Sequence, residues 1–280
     1  MIENRIPLQR HDCINGRFYS NNDGNPKIYH PSVTTILNIV AKGENFDRWL
    51  GNSKSYDDAM GYASNKASIG TVVHIILEYM LIDPMSVIEI DEVVRDYNEN
   101  NFHRIPKNDI KKVSKCVMGA LQFFFENDII PEALELQLWD SELPFSGTAD
   151  LICRIRNTKT GRYERWLIDF KTGRENPEVA LQLTFYRRLF EKIYKKKIKR
   201  IAGLYVGSTW IKRPTYKLKE FKYNPKTAKS VLDLYSWKYG KDNKMPKPNF
   251  AKEYPTVFSL SKIEGVYNEW NDHLDKTSNL

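Results

Sequence analysis

The stretch Gly147–Lys171 constrains the fold of this chain more than any other. It opens with Gly147-Thr148-Ala149-Asp150-Leu151-Ile152 and passes through the turn formers of Asn157–Arg162. It closes with Trp166-Leu167-Ile168-Asp169-Phe170-Lys171. Alternating and β-branched residues on both sides of Asn, Lys and Gly predict two antiparallel strands joined by a hairpin. Side chains at i and i+2 of a strand share a face, so Asp169 and Lys171 point the same way. A pairing that sets Asp150 beside them brings two carboxylates and one ammonium to one point. Carboxylates that close repel each other, and a divalent cation relieves the repulsion. An isolated Asp-x-Lys is commonly a solvated ion pair of little consequence. Here Leu151-Ile152 and Leu167-Ile168 embed both acids in core-like strand, where acids are more often ligands. The stretch predicts a metal-dependent hydrolytic centre, with Lys171 holding or deprotonating a water.

A chain of 280 residues fits one large domain or two small ones and can bury a proper core. A formal net charge of +8 and a pI near 9.1 favour an anionic partner. Cys13, Cys116 and Cys153 form no CxxC pair, so no zinc ribbon or cysteine-ligated iron–sulfur cluster is expected. Free thiols, no apolar run of membrane-spanning length and no signal h-region predict an intracellular setting.

Two short strand pieces are expected around Asn21-Asn22-Asp23-Gly24-Asn25, then a short helix through Ile36–Val40 capped by Ser32 or Thr34. Helical periodicity runs over Asp57–Leu81, Val87–Glu99 and Pro106 to about Glu126. His74 and Glu78 lie one turn apart on the first of these, and Glu78 either orients the histidine or stands solvated. Ala133–Trp139 reads as a strand with Glu135, Gln137 and Trp139 on one face. Asn176-Pro177 starts a helix through Lys192, followed by a buried-looking strand at Arg200–Val206 and a strand pair through Tyr223. Closing helices are expected at Thr227–Tyr239 and Ser261–His273.

These motifs, in their order, resemble the PD-(D/E)XK nuclease superfamily, in particular its RecB-like exonuclease branch. Gly-x-x-Asp at Gly147–Asp150 precedes Asp-x-Lys at Asp169–Lys171, with Ala149 where the superfamily's name has proline. Gln182 and Tyr186 match the branch's Gln-x-x-x-Tyr, and Gly70-Thr71-Val72-Val73-His74 matches its Gly-x-x-x-His. The opening Pro31-Ser32-Val33-Thr34-Thr35-Ile36-Leu37 is similar to that of phage and mitochondrial exonucleases. The resemblance implies an α/β fold with a restriction-endonuclease-like αβββαβ core and a central mixed sheet flanked by helices. It implies one nuclease domain over residues 1–280: a mainly helical portion to 130 over the active site, the catalytic core at 131–223, and C-terminal helices. It also implies one or two Mg²⁺ or Mn²⁺ ions held by Asp150, Asp169 and the Phe170 carbonyl, with His74 and Glu135 as further ligands. Lys171, Gln182 and Tyr186 complete the catalytic set.

The expected activity is hydrolysis of DNA from its ends, in phage recombination, replication or DNA processing in the host cytoplasm, by a protein for which the monomer is favoured. An endonuclease of the same superfamily and a non-catalytic DNA-binding protein on the same fold are the alternatives. The stretch Arg187–Lys222 is the most basic of the chain, and Tyr194, Tyr205, Trp210 and Tyr216 interleave it. Cations that track phosphates beside rings that stack on bases suit a single strand, with Arg187, Arg188, Lys212 and Arg213 as contacts. A solvated basic face over core aromatics is the other reading of that composition.

Overall fold

The computed structural model describes residue 2 and residues 7–21, 27–40, 43–241 and 244–250. Ile14-Asn15 form the two-residue loop between β1 (Leu8–Cys13) and β2 (Gly16–Asn21), and β3 (Tyr29–Pro31) completes a three-stranded antiparallel sheet. Glycine is required after that loop. Gly16 has φ +121°, and a Cβ there would lie 2.5 Å from the Thr35 side chain. The two strand pieces expected near the start of this portion meet at Ile14-Asn15, one hairpin earlier than the Asn21–Asn25 cluster, and helices make up most of the rest of it. Residues 22–25 of that cluster and the expected helix Ser261–His273 lie outside the described residues.

Ser32 caps α1 (Val33–Leu37), its hydroxyl accepting the Thr35 N–H at 3.0 Å. Next come α2 (Gly43–Gly51), α3 (Tyr56–Ile82), α4 (Ile90–Asn100) and α5 (Ile110–Glu126). Ser55 caps α3, and Asp57 and Asp58 sit in its first turn, where negative charge suits the helix dipole. Five strands follow in the order β4 (Ile130–Asp140), β5 (Leu143–Arg156), β6 (Tyr163–Lys171), β7 (Arg200–Val206) and β8 (Tyr216–Phe221). All neighbours are antiparallel except β6 and β7, which run parallel because α6 (Glu178–Tyr194) carries the chain back between them. The helix α7 (Pro225–Tyr239) closes the described architecture.

The central sheet is buried on both faces. Leu136, Leu138, Ile152 and Leu167 pack against α1, α6 and α7; Leu151, Cys153, Ile168 and Phe170 pack against α3 and α5. Such burial explains the near-continuous apolar runs of β5, β6 and β7. The first sheet is joined to the central one by a parallel bridge between Ser32 and Ser146 and by the Leu8 N–H donated to Gln137 Oε1. Among the described residues, no helix is long and apolar enough to cross a membrane.

Candidate metal centre and its cavity

The site is built where the sheet's hydrogen-bond ladder breaks. The pairing of β4 with β5 runs through Leu134 with Leu151 and Leu136 with Ala149, and skips Glu135 and Asp150 between them. The ladder of β5 and β6 ends at Leu151 with Ile168, one residue short of Asp150 and Asp169. Glu135 has φ +41°, a left-handed conformation that costs a non-glycine residue on the order of 1 kcal/mol. Strand alternation is reset there: Leu134 and Glu135 both turn toward the α3 side, whereas Ala133 and Leu136 pack on the α6 side. The gap leaves the Phe170 backbone free on its β5 side, and side chains take it up. Asp150 Oδ2 accepts the Phe170 N–H at 2.8 Å, and the Phe170 carbonyl accepts from His74 Nε2 at 3.1 Å.

That bond fixes the histidine's chemistry. A carbonyl only accepts, so Nε2 carries a proton and Nδ1 faces the acids. His74 Nδ1 lies 3.6 Å from Glu135 Oε1 and 3.6 Å from Asp150 Oδ2. One ligand atom from each of the three residues falls within 4.8 Å of the others. Burial pushes the imidazole down, but the carboxylates of Asp150 and Glu135 outweigh it and lift the group to about 9. A protonated His74 thus supplies the positive charge the two acids require in the metal-free protein. Asp150 is raised by burial, against the pull of His74.

On the other side of β6, Asp169 and Lys171 share a face, as their i, i+2 spacing dictates. Lys171 Nζ lies 2.5 Å from Asp169 Oδ2. Gln182 Nε2 donates to Asp169 Oδ1 at 2.9 Å and to the Tyr186 hydroxyl at 3.4 Å, while its Oε1 accepts from Lys171 Nζ at 3.5 Å. Burial raises Asp169 to about 6 despite the lysine beside it. Burial works against the Lys171 ammonium, but Asp169 and Asp150 hold its pKa above the usual lysine value. Burial first, then Asp169, pushes the Tyr186 phenol well up. In the metal-free protein Lys171 is therefore a donor at neutral pH, able to orient water or stabilise charge rather than to take a proton.

Both groups open into one cavity of about 870 Å³. It brings together His74, Glu135, Asp150, Asp169, Phe170, Lys171, Gln182 and Tyr186. Asp169 stands apart from the three-residue cluster, with its carboxylate turned to Lys171 and Gln182. Glu78 lines the cavity too, raised by burial and by Glu135.

The expected nucleic-acid contacts Arg187, Arg188, Lys212 and Arg213 do not line the cavity. Arg187 pairs with Glu191 and stacks on Tyr223 at 4.2 Å. Arg188, Lys212 and Arg213 are exposed. Much of the surrounding positive charge is neutralised: Lys192 by Asp140 and Glu142, Arg200 by Glu164 and Glu220, Lys217 and Lys219 by Glu175. The interleaved rings are occupied as well. Tyr205 is buried, Tyr194 packs on Phe190, Tyr216 packs on Phe123, and the Trp210 indole N–H donates to the Lys115 carbonyl.

Besides Lys171, the Lys and Arg side chains lining the cavity are Arg10 and Arg17 from the first sheet and Lys66 from α3. Sequence reasoning missed them. The signal was Asn15-Gly16, whose turn sets Arg17 opposite Asp12 and so places both arginines around one carboxylate.

No family model matches the sequence, and no curated protein matches it. The donor set itself is the test of what the centre accepts. Two carboxylates and an imidazole, with their ligand atoms already gathered, could hold a divalent metal ion.

Proposed function

We propose that this chain is a Mg²⁺- or Mn²⁺-dependent deoxyribonuclease that hydrolyses phosphodiester bonds from DNA ends. One observation carries the reading: a gathered His/Glu/Asp donor set and a buried Asp169 held by Lys171 and Gln182 flank Phe170 in one open cavity. The run α5-β4-β5-β6-α6-β7 follows the αβββαβ order of a restriction-endonuclease-like core, which supports the same reading. Action from ends rests on the resemblance of the motif order to RecB-like exonucleases.

His74 Nδ1, Glu135 and Asp150 would hold the ion. When bound, it neutralises the scissile phosphate and lowers the pKa of the attacking water. Lys171, kept charged by Asp169, would orient that water and offset negative charge developing on the phosphate oxygens. Gln182 fixes Asp169 and Lys171 relative to each other, and the Tyr186 hydroxyl holds Gln182. Arg10, Arg17 and Lys66 would meet phosphates along the wall.

End-labelled linear single- and double-stranded DNA, beside a closed single-stranded circle, tests this with Mg²⁺, Mn²⁺ or EDTA. The expected outcome is metal-dependent loss of the linear strands with the circle spared. Cutting of the circle would reassign the chain as an endonuclease. Intact DNA in every lane, from protein that binds it, would make it a binding protein.

A further inference from the structure

Tyr62, Lys66, Gly70, His74 and Glu78 recur every fourth residue of α3, so they form one continuous row on the helix surface. The row from Lys66 to Glu78 lines the cavity, and Tyr62 carries it one turn beyond the rim. Its chemistry changes in order along the helix. Glu78 and His74 belong to the acidic centre. Gly70 leaves the backbone bare, and a Cβ there would come within 3.2 Å of Thr172 Oγ1. Lys66 is exposed and, among the described residues, has no carboxylate partner in an ion pair; its Nζ lies 5.5 Å from the Tyr62 ring centroid. Tyr62 is 58% exposed, and the half-buried Trp49 of α2 stands beside it with ring centroids 6.4 Å apart. Twelve residues at the α-helical rise put Tyr62 about 18 Å along the axis from His74.

We infer that this row is a track for single-stranded DNA, with Tyr62 and Trp49 stacking unpaired bases and Lys66 holding the phosphate that leads to the metal centre. The inference rests on the nuclease reading and names its substrate. The exposed Tyr62 ring and the half-buried Trp49 beside it, next to Lys66, offer π-faces to bases that a duplex keeps stacked inside itself. Charge points the same way: Arg10, Arg17 and Lys66 all line the cavity, and among the three, within the described residues, only the two arginines share an acid, Asp12. The basic stretch between Arg187 and Lys222, by contrast, spends its rings on packing.

Binding in EDTA separates this inference from the chemistry. Fluorescence anisotropy would be read for a labelled oligothymidylate and for a blunt-ended hairpin duplex. The wild type is expected to bind the single strand more tightly. Tyr62→Ala should weaken the single strand by about ten-fold and leave the duplex unchanged, with Tyr62→Phe restoring affinity. Lys66→Ala should weaken binding and lower the salt-dependence slope by about one. Phe125→Ala, an exposed ring on α5 that does not line the cavity, should change nothing. Single-strand affinity within about two-fold of wild type in Tyr62→Ala, or an equal loss on the duplex, would overturn the track. Discrimination without metal-dependent cleavage would leave the track standing and remove the nuclease. Cleavage with no effect of Tyr62→Ala would do the reverse.

Discussion

His74 is the residue on which the electrostatics of the centre turn. Its Nε2–H is committed to the Phe170 carbonyl, and Nδ1 sits between two carboxylates that raise the group to about 9. A ligand nitrogen must be unprotonated, so metal and proton compete for Nδ1. Binding of Mn²⁺ at pH 7 is expected to release roughly one proton. Titration calorimetry in buffers of different ionisation enthalpy measures it, and a release near zero would remove His74 from the ligand set. The same shift acts on the metal-free protein. The folded-state pKa is raised, so the histidine's stabilising contribution is complete below 6.5 and is lost as pH rises toward 9. The candidate role of His74 was legible only through its motif, because the acids that tune it lie on strands 61 and 76 residues further along the chain.

At the scale of elements, the site depends on how closely α6 lies on β5. A Cβ on Gly147 would stand 2.6 Å from Tyr186 Cε1, so the glycine of Gly-x-x-Asp exists to admit the tyrosine of Gln-x-x-x-Tyr. The Tyr186 ring is buried and its hydroxyl accepts from Gln182, which in turn holds Asp169. Gly147→Ala is expected to cost about 1–3 kcal/mol by overpacking. Urea unfolding reads that cost, and an unchanged midpoint would mean the ring yields freely. Strand and helix periods made β5, β6 and α6 legible in sequence. The left-handed turn at Glu135 was not, because it satisfies a site rather than a propensity: alternation correctly sets Glu135 opposite Leu136 and Leu138, but gives no sign that Leu134 turns to the same side as the acid.

For the molecule as a whole, net charge predicts the sign of a partner but not its place. The chain's formal charge is +8, and part of the densest cationic run is matched by acids from distant strands and loops, such as Glu164 and Glu175. Those pairings depend on sheet order, which composition does not contain. The basic wall of the cavity likewise depends on the first sheet reaching β4 and β5, through contacts spanning more than a hundred residues. The acids and the lysine of the centre were legible because their spacing sits on two adjacent strands. The central claim is that Lys171 and the acidic centre act together on a phosphodiester. Single-turnover cleavage of end-labelled DNA in saturating Mn²⁺, by wild type and Lys171→Ala with DNA binding followed in EDTA, tests it most directly. The predicted result is metal-dependent cleavage by the wild type and a loss of about 10²–10³-fold or more in the variant, with binding largely retained. Near-normal turnover without the lysine would contradict the account.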